Sequence, residues 1–514
     1  MSKTIIIIGA GLAGLSAALQ AAENGCNVKL VSSFPSERAQ SVMAEGGINA
    51  ALNTKDENDS PEEHFTDTIK AACGLADPNA VWGMTQAAPE LVHWLLKLGV
   101  QFNMSGYDDV DLRNFGGQKK KRTAFAQSDT GKQIMTAMID AVRRKEASGM
   151  VERFSHHSFL TLRLCDNICC GCVIRDEYSQ ETVELPGDAV IVATGGMHGL
   201  FGNTTGSLSN TGEVTAELFR LGVPLANGEM IQYHPTTVKC GGKRMLISEA
   251  ARGEGGRLFA MKDGKQWYFM EEKYPELGNL MPRDITAREI WKVSHESEVF
   301  LDMTEISDEI ISNKLSGLAD DCMTYLHKDI RKEPVSVLPG IHYFMGGILV
   351  DEQHRTPLQN LYAAGECCAQ YHGANRLGGN SLLGALYGGR VAAKSACEQA
   401  DVVDLSCATQ IDFPPASQIS EIKQLNKVMQ ETMGVVRNEN TLLNGIQTVQ
   451  ALTGNLPLLG MAVLKSALAR KESRGAHWRE DYPKSNDDDY LKTTVARFDG
   501  KQIQISFVPV PERR

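Results

Sequence analysis

Three glycines near the start of the chain have the spacing of a phosphate-binding turn. They follow a β-branched strand pattern at residues 4–8 and precede an alanine-rich helical pattern. Gly9 permits the tight turn, Gly11 lets the backbone approach a pyrophosphate, and Gly14 lets the helix pack closely on the strand. This pattern of strand, turn and helix predicts that a pyrophosphate binds at the N-terminus of the helix.

Two later strand patterns extend the same nucleotide fold. The second strand, at residues 28–31, ends in Ser32, where such folds usually have an Asp or Glu that holds the ribose. A serine hydroxyl can still hydrogen-bond a ribose. A further buried strand at 188–193 ends in a Thr-Gly-Gly turn at 194–196, after a short β-meander between 151 and 184. The combination favours FAD over NAD as the cofactor.

The cysteines do not form a metal-binding pattern. Cys169, Cys170 and Cys172 lie close together, but no second ligand pair stands at the spacing of a zinc site. This segment is interpreted as buried thiols on a strand. No haem-attachment or ferredoxin-type cysteine motif is present either. The sequence therefore predicts no metal site, and the electrons are expected to come from another molecule.

The composition is typical of a globular enzyme. A chain of 514 residues exceeds the usual size of one hydrophobic core, so two or three domains are expected. The net charge of -11 weighs against nucleic-acid binding. No window approaches ~18 uninterrupted apolar residues, and the N-terminus lacks a signal-peptide pattern. We expect a cytoplasmic protein that reaches the inner face of a membrane only through a partner.

A series of short motifs follows the glycine turn along the chain. They are Ala-Glu-Gly-Gly-Ile-Asn-Ala-Ala at 44–51, His-Pro-Thr at 234–236, Arg-Gly-Glu-Gly-Gly at 252–256, Pro-Arg-Asp at 282–284, His-Tyr-Phe-Met-Gly-Gly at 342–347, Gly-Glu at 365–366, His-Gly-Ala-Asn-Arg at 372–376, Asn-Ser-Leu at 380–382 and Lys-Glu-Ser-Arg-Gly at 471–475. In this order, the motifs resemble those of the flavoprotein subunits of succinate dehydrogenase and fumarate reductase. That family also contains L-aspartate oxidase.

The resemblance implies a flavin-dependent oxidoreductase that reduces fumarate to succinate in the electron transport of anaerobic respiration. It places Arg376 and His342 on one carboxylate of the dicarboxylate substrate, and His234 and Ser248 on the other. An arginine fork suits a carboxylate because two parallel N–H bonds meet two oxygens. We therefore expect these four side chains to surround the substrate.

The resemblance also implies a route for the proton. While hydride passes from flavin N5 to one alkene carbon, the arginine of the Pro-Arg-Asp turn, Arg283, protonates the other. Glu249 and Arg252 are expected to reload it. A guanidinium holds its proton to a pKa above ~12, so transfer must be concerted with the formation of a strongly basic centre. The alternative role of Arg283 is a structural ion pair with Asp284 or Glu289.

The glycine turn and the resemblance together predict the cofactor-binding residues. They are Gly9, Gly11, Leu12, Ala13, Gly14, Ser32, Ser41, Glu45, Gly46, Gly47, Thr194, Gly195, Glu213, Glu366, Ser381 and Leu382. Ser381 and Leu382 are expected to open a helix whose N-terminal amides face the flavin ring. Relatives usually have Asp where Glu213 stands, which is one methylene longer.

Gln40 predicts how the FAD is attached. In membrane-bound relatives, a histidine just before the Glu-Gly-Gly loop is linked covalently to the flavin. Gln40 stands at that position here, and glutamine cannot form the bond. The FAD is therefore expected to be non-covalent. Family behaviour implies that the covalent link supports succinate oxidation, so its absence favours fumarate reduction.

The motifs also predict the domain organisation, an α/β architecture. A discontinuous Rossmann-like FAD-binding domain is expected at 1–230 and 345–400, because cofactor motifs flank an insert. The insert, 231–344, would form an α+β capping domain that holds the substrate residues. After a polar linker around 401–418, an amphipathic pattern predicts a C-terminal helical domain at 415–514.

Two rival functions remain. Residues 247–250 and 282–288 also resemble L-aspartate oxidase, whose substrate carries an ammonium group that needs a carboxylate partner in a dry site. Phe115 stands where aspartate oxidases have that glutamate, which favours fumarate. A non-catalytic flavoprotein would have lost at least one of the predicted catalytic residues, and all are present. The expected partner is an iron-sulfur or other electron-donor subunit.

Overall fold

The computed structural model describes residues 2–107, 109–401, 411, 413 and 419–514. Its central element is a sheet of five parallel strands. In spatial order these are Leu361–Ala363, Ala189–Val192, Thr4–Ile8, Asn27–Ser32 and Val151–Ser155. The strand that precedes the glycine turn lies in the middle, where both faces of the sheet are covered. Its four isoleucines are accordingly buried.

The helices Leu12–Glu23, Thr130–Ala147 and Asn380–Gln399 pack on this sheet. Pro78–Leu98 packs on the last two of these and Pro61–Ala71 packs on Pro78–Leu98, whereas Glu213–Arg220 packs on the strand His157–Cys165. The helices Leu12–Glu23 and Asn380–Gln399 pack against each other through small residues. A Cβ on Gly389 would lie 2.3 Å from the carbonyl oxygen of Ala13, so only glycine permits this approach. The first and the late segments of the chain thus build one nucleotide-binding unit.

A three-stranded antiparallel meander covers part of the parallel sheet. It consists of His157–Cys165, Ile168–Asp176 and Thr182–Pro186, where the sequence predicts a meander. Cys169, Cys170 and Cys172 lie on its middle strand as buried free thiols. Within the described residues no group of three or more potential metal-ligating side chains converges.

The segment from 231 to 344 has two antiparallel sheets of its own. One joins Ile231–Cys240, Lys243–Leu246 and Leu338–Phe344; the other joins Arg257–Lys262, Lys265–Trp267, Val299–Asp302 and Val335–Ser336. Its helices are Glu249–Gly253, Phe269–Lys273, Arg283–Val293, Asp308–Lys314 and Ser316–Asp321. These elements enclose a separate apolar core that includes Leu258, Ile290 and Leu301.

The C-terminal part combines helices with a hairpin. The helices Ile419–Thr432, Glu439–Val449, Asn455–Ala469 and Asp487–Tyr490 are followed by the strands Lys492–Phe498 and Ile503–Pro509. The first of these strands pairs with Leu225–Ala226, so the hairpin extends the sheet to which Leu225–Ala226 belongs. The amphipathic helical pattern did not predict this hairpin. Most of the linker predicted around 401–418, and the start of the predicted helical domain at 415, lie outside the described residues.

Smaller elements complete the fold. The short strands Ile48–Asn49, Thr123–Ala124 and Leu112–Arg113 form one sheet. Gly347–Leu349 pairs with Leu225–Ala226 on one side and with Cys368–Ala369 on the other. Among the described residues, no helix is both long and apolar enough to cross a lipid bilayer. The domain limits given above stay a prediction.

Candidate active site

A cavity of about 520 Å³ runs from the parallel sheet to the segment 231–344. Its wall contains every predicted cofactor residue except Gly14, and the four predicted substrate residues His234, Ser248, His342 and Arg376. Glu249 and Arg283 also line the cavity, whereas Arg252 lies behind Glu249. One continuous space therefore brings together residues that lie between positions 8 and 385 of the chain.

The glycine turn fits a pyrophosphate. Gly9 has φ +111°, and a Cβ there would lie 2.3 Å from the carbonyl oxygen of Ala193. A Cβ on Gly14 would lie 1.8 Å from the carbonyl oxygen of Gly9. At Gly11 a Cβ would meet nothing closer than 3.8 Å, because this position faces the cavity. Two glycines thus hold the turn tight while the third leaves room for a ligand next to the backbone.

Further cofactor candidates surround the turn. The Ser41 hydroxyl accepts a hydrogen bond from the Leu12 amide at 3.3 Å, and Gln40 lies beside it in the cavity wall. Ser381 and Leu382 occupy the first turn of the helix Asn380–Gln399, as predicted, so its N-terminal amides lie at the cavity. Glu213 opens its own helix but is exposed at the edge of the cavity.

The side chain of Glu45, in the Glu-Gly-Gly loop, has a raised pKa. Its Oε2 atom is buried and has no hydrogen-bond partner among the described residues. Burial, reinforced by the carboxylate of Asp321 in the segment 231–344, raises the pKa of Glu45 to about 8. The side chain therefore carries a proton at neutral pH and adds no negative charge to the cavity.

Glu366 is a further acidic residue among the predicted cofactor-binding residues. It accepts a hydrogen bond from the Phe344 amide at 3.1 Å, and His198 Nε2 lies 3.6 Å from its carboxylate. These contacts join the turn after the strand Leu361–Ala363 to the end of the strand Leu338–Phe344.

Two histidines from neighbouring strands face each other across the cavity wall. The rings of His234 and His342 lie 5.1 Å apart between centroids, and Thr205 Oγ1 lies 2.8 Å from His342 Nδ1. Burial holds the pKa of both histidines well below 6.5, and the Arg283 charge lowers it further. Both rings are therefore neutral near pH 7 and can each present one N–H donor.

Glu249 joins two arginines in a buried chain. Its Oε2 accepts hydrogen bonds from Arg283 Nε at 2.8 Å and Nη2 at 2.6 Å, and its Oε1 lies 3.3 Å from Arg252 Nη2. Burial raises the pKa of Glu249, but the charges of Arg283 and Arg252 outweigh it and lower the pKa overall. Among the described residues, the pairing of Arg283 with Asp284 or Glu289 is not observed, since Glu289 instead pairs with Lys273 and Lys292.

Local structure explains why this chain forms. Glu249 and Arg252 lie three residues apart on the short helix Glu249–Gly253, so their side chains share one face. Ser248 is the N-cap of that helix, and its hydroxyl accepts a hydrogen bond from the Ala250 amide. Arg283 is the first residue of the helix Arg283–Val293.

Arg376 supplies a third buried cation. Its guanidinium lies 4.4 Å from the centre of the Tyr343 ring, and its Nε has no hydrogen-bond partner within the described part of the chain. Burial lowers the pKa of Arg376 to about 9, with a further contribution from the Arg283 charge. The guanidiniums of Arg376, Arg283 and Arg252 thus act together on Glu249 at this end of the cavity, and their positive charge suits a dianion.

Phe115 also forms part of the wall of the cavity. It is 2% exposed, and a Cβ on Gly46 would lie 2.7 Å from its ring. Its main-chain neighbour Gly116 donates a hydrogen bond to Glu249 Oε1 at 3.1 Å. The loop that carries Phe115 therefore contacts both the Glu-Gly-Gly loop and the buried arginine chain.

The sequence did not single out two residues that contact the predicted site. Thr205 contacts His342, and Gln232 accepts a hydrogen bond from Arg283 Nη1 at 3.1 Å. Gln232 stands two residues before His234 on the strand Ile231–Cys240. That spacing was the one available signal for Gln232, whereas Thr205 lies in a loop with no distinguishing pattern.

Comparison with known proteins identifies the family. Residues 4–382 match the family described as FAD binding domain, and residues 452–513 match that described as fumarate reductase flavoprotein C-term. The succinate dehydrogenase flavoprotein subunit of Bacillus subtilis is 38% identical over 100% of this chain and 98% of its own length. The 8-methylmenaquinol:fumarate reductase flavoprotein subunit of Wolinella succinogenes is 32% identical over 100% and 92%.

A solved structure and a further relative agree with this result. A solved quinol fumarate reductase chain from E. coli superposes with a TM-score of 0.90 at 27% identity, covering 99% of this chain and 97% of that one. L-aspartate oxidase of Pyrococcus furiosus is 32% identical over 94% of this chain and 97% of its own length. The chain belongs to the family of FAD-binding oxidoreductases that comprises the flavoprotein subunits of succinate dehydrogenase and fumarate reductase.

Proposed function

We propose that this protein reduces fumarate to succinate, with Arg283 as the proton donor. The observation that supports this most strongly is the buried chain from Arg252 through Glu249 to Arg283, which ends at the cavity beside His234 and His342. FAD, when bound, supplies the hydride. A proton must reach the other alkene carbon in the same step, and a buried relay that opens on the cavity suits that requirement.

The substrate is bound through both carboxylates. Arg376 and His342 hold one of them, while His234 and the Ser248 hydroxyl hold the other. The two histidines act as neutral donors, because burial and the Arg283 charge keep their pKa values low. The dianion is attracted by the excess of buried guanidiniums, and donors fixed in advance stabilise charge that develops on a carboxylate during reduction.

Proton delivery follows from the hydrogen bonds of Arg283. Its guanidinium gives a proton to the carbon as that carbon becomes strongly basic. Arg252 gives a proton to the carboxylate of Glu249, which passes it at once to Arg283, and Arg252 regains a proton from solvent before the next turnover. Because the pKa of Glu249 is depressed, it holds the transferred proton only briefly. This ordering keeps Arg283 cationic before and after each turnover.

The FAD is bound without a covalent link, since Gln40 occupies the cavity wall where relatives carry the linking histidine. This form of attachment favours fumarate reduction over succinate oxidation. Electrons reach the flavin from an iron-sulfur or other donor subunit, through which the protein also reaches the inner face of the cytoplasmic membrane.

L-aspartate oxidation is the second candidate, because an aspartate oxidase is among the relatives. An ammonium group in this cavity needs an ionised carboxylate beside it. Phe115 offers none, and Glu45, which lies next to Phe115 through Gly46, is protonated near pH 7. The charges near this loop therefore favour a substrate without an amine.

The test uses the purified FAD-containing protein. We expect oxidation of reduced viologen on addition of fumarate, and no bleaching of the flavin on addition of L-aspartate without oxygen. Bleaching by aspartate, with no response to fumarate, would replace this function by the oxidase. Acid precipitation tests Gln40 separately: FAD should appear in the supernatant, and flavin retained in the protein pellet would refute non-covalent binding.

A further inference from the structure

Gln232 connects the two arginines that have different tasks in the site. Its side-chain carbonyl accepts a hydrogen bond from Arg283 Nη1 at 3.1 Å. Its amide nitrogen donates to the main-chain carbonyl of Arg376 at 2.9 Å and to Asn375 Oδ1 at 3.0 Å. Gln232 is completely buried. The amide thus uses both of its N–H donors and its oxygen within the protein.

These contacts fix the orientation of the amide. Turning it over would bring the NH₂ group against the guanidinium of Arg283 and the oxygen against the carbonyl oxygen of Arg376. Both arrangements place like groups together, so only one orientation satisfies the network. The strand Ile231–Cys240 also packs on the helix Arg283–Val293, which limits the movement of either partner.

The contacts also determine which hydrogens of Arg283 remain for a substrate. Of its five N–H bonds, those from Nε and Nη2 to Glu249 use two, and the one from Nη1 to Gln232 uses a third. Two N–H bonds are left, and Arg283 lines the cavity. Gln232 accepts without adding a negative charge, so among the described residues Arg283 keeps Glu249 as its single anionic partner.

We propose that Gln232 is a positioning residue: it aims the Arg283 guanidinium at the reacting carbon and fixes its location relative to the carboxylate-binding Arg376. This inference rests on the proposed function. In such a site, the buried amide of Gln232 sets the distance between Arg283, which donates the proton, and Arg376, which binds one carboxylate of the substrate.

Two variants of Gln232 test this in the FAD-containing protein. Gln232→Met keeps the volume but loses every hydrogen bond. We expect its kcat with fumarate to fall about 100-fold, because a displacement of about 1 Å has that effect. The Kd for malonate, a dicarboxylate that cannot be reduced, should rise about tenfold as Arg376 loses its support. Gln370→Met, which removes a partly buried hydrogen bond to the main-chain carbonyl of Asp351 elsewhere in the protein, is the matched control and should leave both values unchanged.

Gln232→Glu separates positioning from general loosening of the fold. When the introduced carboxyl group is protonated, it can accept from Arg283 and donate to one carbonyl. When it is ionised, it opposes the carbonyl of Arg376 and gives Arg283 a second anion. The ratio of the variant's kcat to that of the wild type should therefore rise as pH falls, by up to about tenfold per pH unit. The charged and titratable groups around this position are Glu249, Arg252, Arg283, Arg376, His234 and His342, and all of them are present in both proteins.

Three outcomes would overturn the inference: a Gln232→Met kcat within about threefold of the wild type, a flat ratio for Gln232→Glu across pH, or an unchanged malonate Kd. Failure of the proposed function looks different, because the wild type itself would not turn over fumarate. Malonate binding would then still show whether Gln232 holds Arg376 in place.

Discussion

Glu249 is the residue on which the electrostatics of the site depend most. It is a buried carboxylate between two buried guanidiniums, with side-chain exposure of 1% against 0% for Arg252 and 7% for Arg283. Removing one partner of such a group leaves an uncompensated buried charge, which costs more than the ion pairs themselves contribute. The same carboxylate is also the proposed relay for the proton.

Replacing Glu249 with Gln should therefore affect both stability and turnover. We expect the free energy of unfolding at pH 7 to fall by about 3–5 kcal/mol, because Arg252 and Arg283 lose their anion. Fumarate turnover should fall about 10²- to 10⁴-fold, because the relay is broken. Urea unfolding and the viologen assay measure the two effects, and exposed Glu296→Gln is the control. Unchanged turnover in Glu249→Gln would exclude the relay.

The lowered pKa of Glu249 also predicts how the stability of the protein depends on pH. The pKa of Glu249 lies below its ordinary value of 4.5, so the unfolded chain binds more protons than the folded protein as pH falls. The stabilisation by Glu249 is therefore complete above about pH 4.5 and is lost as pH falls through the folded-state pKa. Urea unfolding at pH 7 and pH 4 should show a smaller difference between wild type and Glu249→Gln at pH 4. An equal difference at both values would contradict the assignment.

At the scale of single residues, the sequence predicted the candidate catalytic residues better than it predicted the residues that contact them. Arg283, Glu249 and Arg252 were expected together from the resemblance, and they form one hydrogen-bonded chain. Gln232 and Thr205 were not expected, because their partners Arg283 and His342 lie far away in the sequence. Apart from the position of Gln232 two residues before His234, the sequence contains no signal for these contacts, which form only when the chain folds.

At the scale of elements, glycines decide how closely the nucleotide-binding helix approaches the sheet. The predicted strand and helix occur as Thr4–Ile8 and Leu12–Glu23, joined by the turn that Gly9 and Gly14 allow. This part was predictable because local spacing alone dictates it. The hairpin Lys492–Phe498 and Ile503–Pro509 was not, although Ile503, Ile505 and Phe507 alternate with more exposed residues. Its first strand takes its place by pairing with residues far away in the sequence.

Gly14→Ala tests the close approach directly. The added Cβ would lie 1.8 Å from the carbonyl oxygen of Gly9, so the helix must shift away from the turn. We expect a loss of about 1–3 kcal/mol in stability and a lower FAD content after purification. Gly242→Ala is the control, since a Cβ there would meet nothing within 4 Å. Full FAD content in Gly14→Ala would show that the turn does not set the cofactor site.

At the scale of the molecule, the cavity lies where separate parts of the chain meet. Gly11 and Ser381 come from the nucleotide fold, His234 and Arg283 from the segment 231–344, and Arg376 from the segment that returns to the nucleotide fold. Each part has its own apolar core. Movement of one part relative to another would separate Arg283, the proposed proton donor, from the cofactor, while closure would exclude water from the proposed hydride transfer.

The most direct measurement is fumarate-dependent turnover of the wild type beside Arg283→Gln, both loaded with FAD, with the malonate Kd measured for each. We predict steady oxidation of reduced viologen by the wild type and a loss of about 10⁴-fold in kcat for Arg283→Gln, the upper range for removing a general acid. The malonate Kd should change far less than kcat. Turnover by Arg283→Gln within about tenfold of the wild type would contradict proton donation by Arg283, and absence of fumarate turnover in the wild type would contradict the proposed function itself.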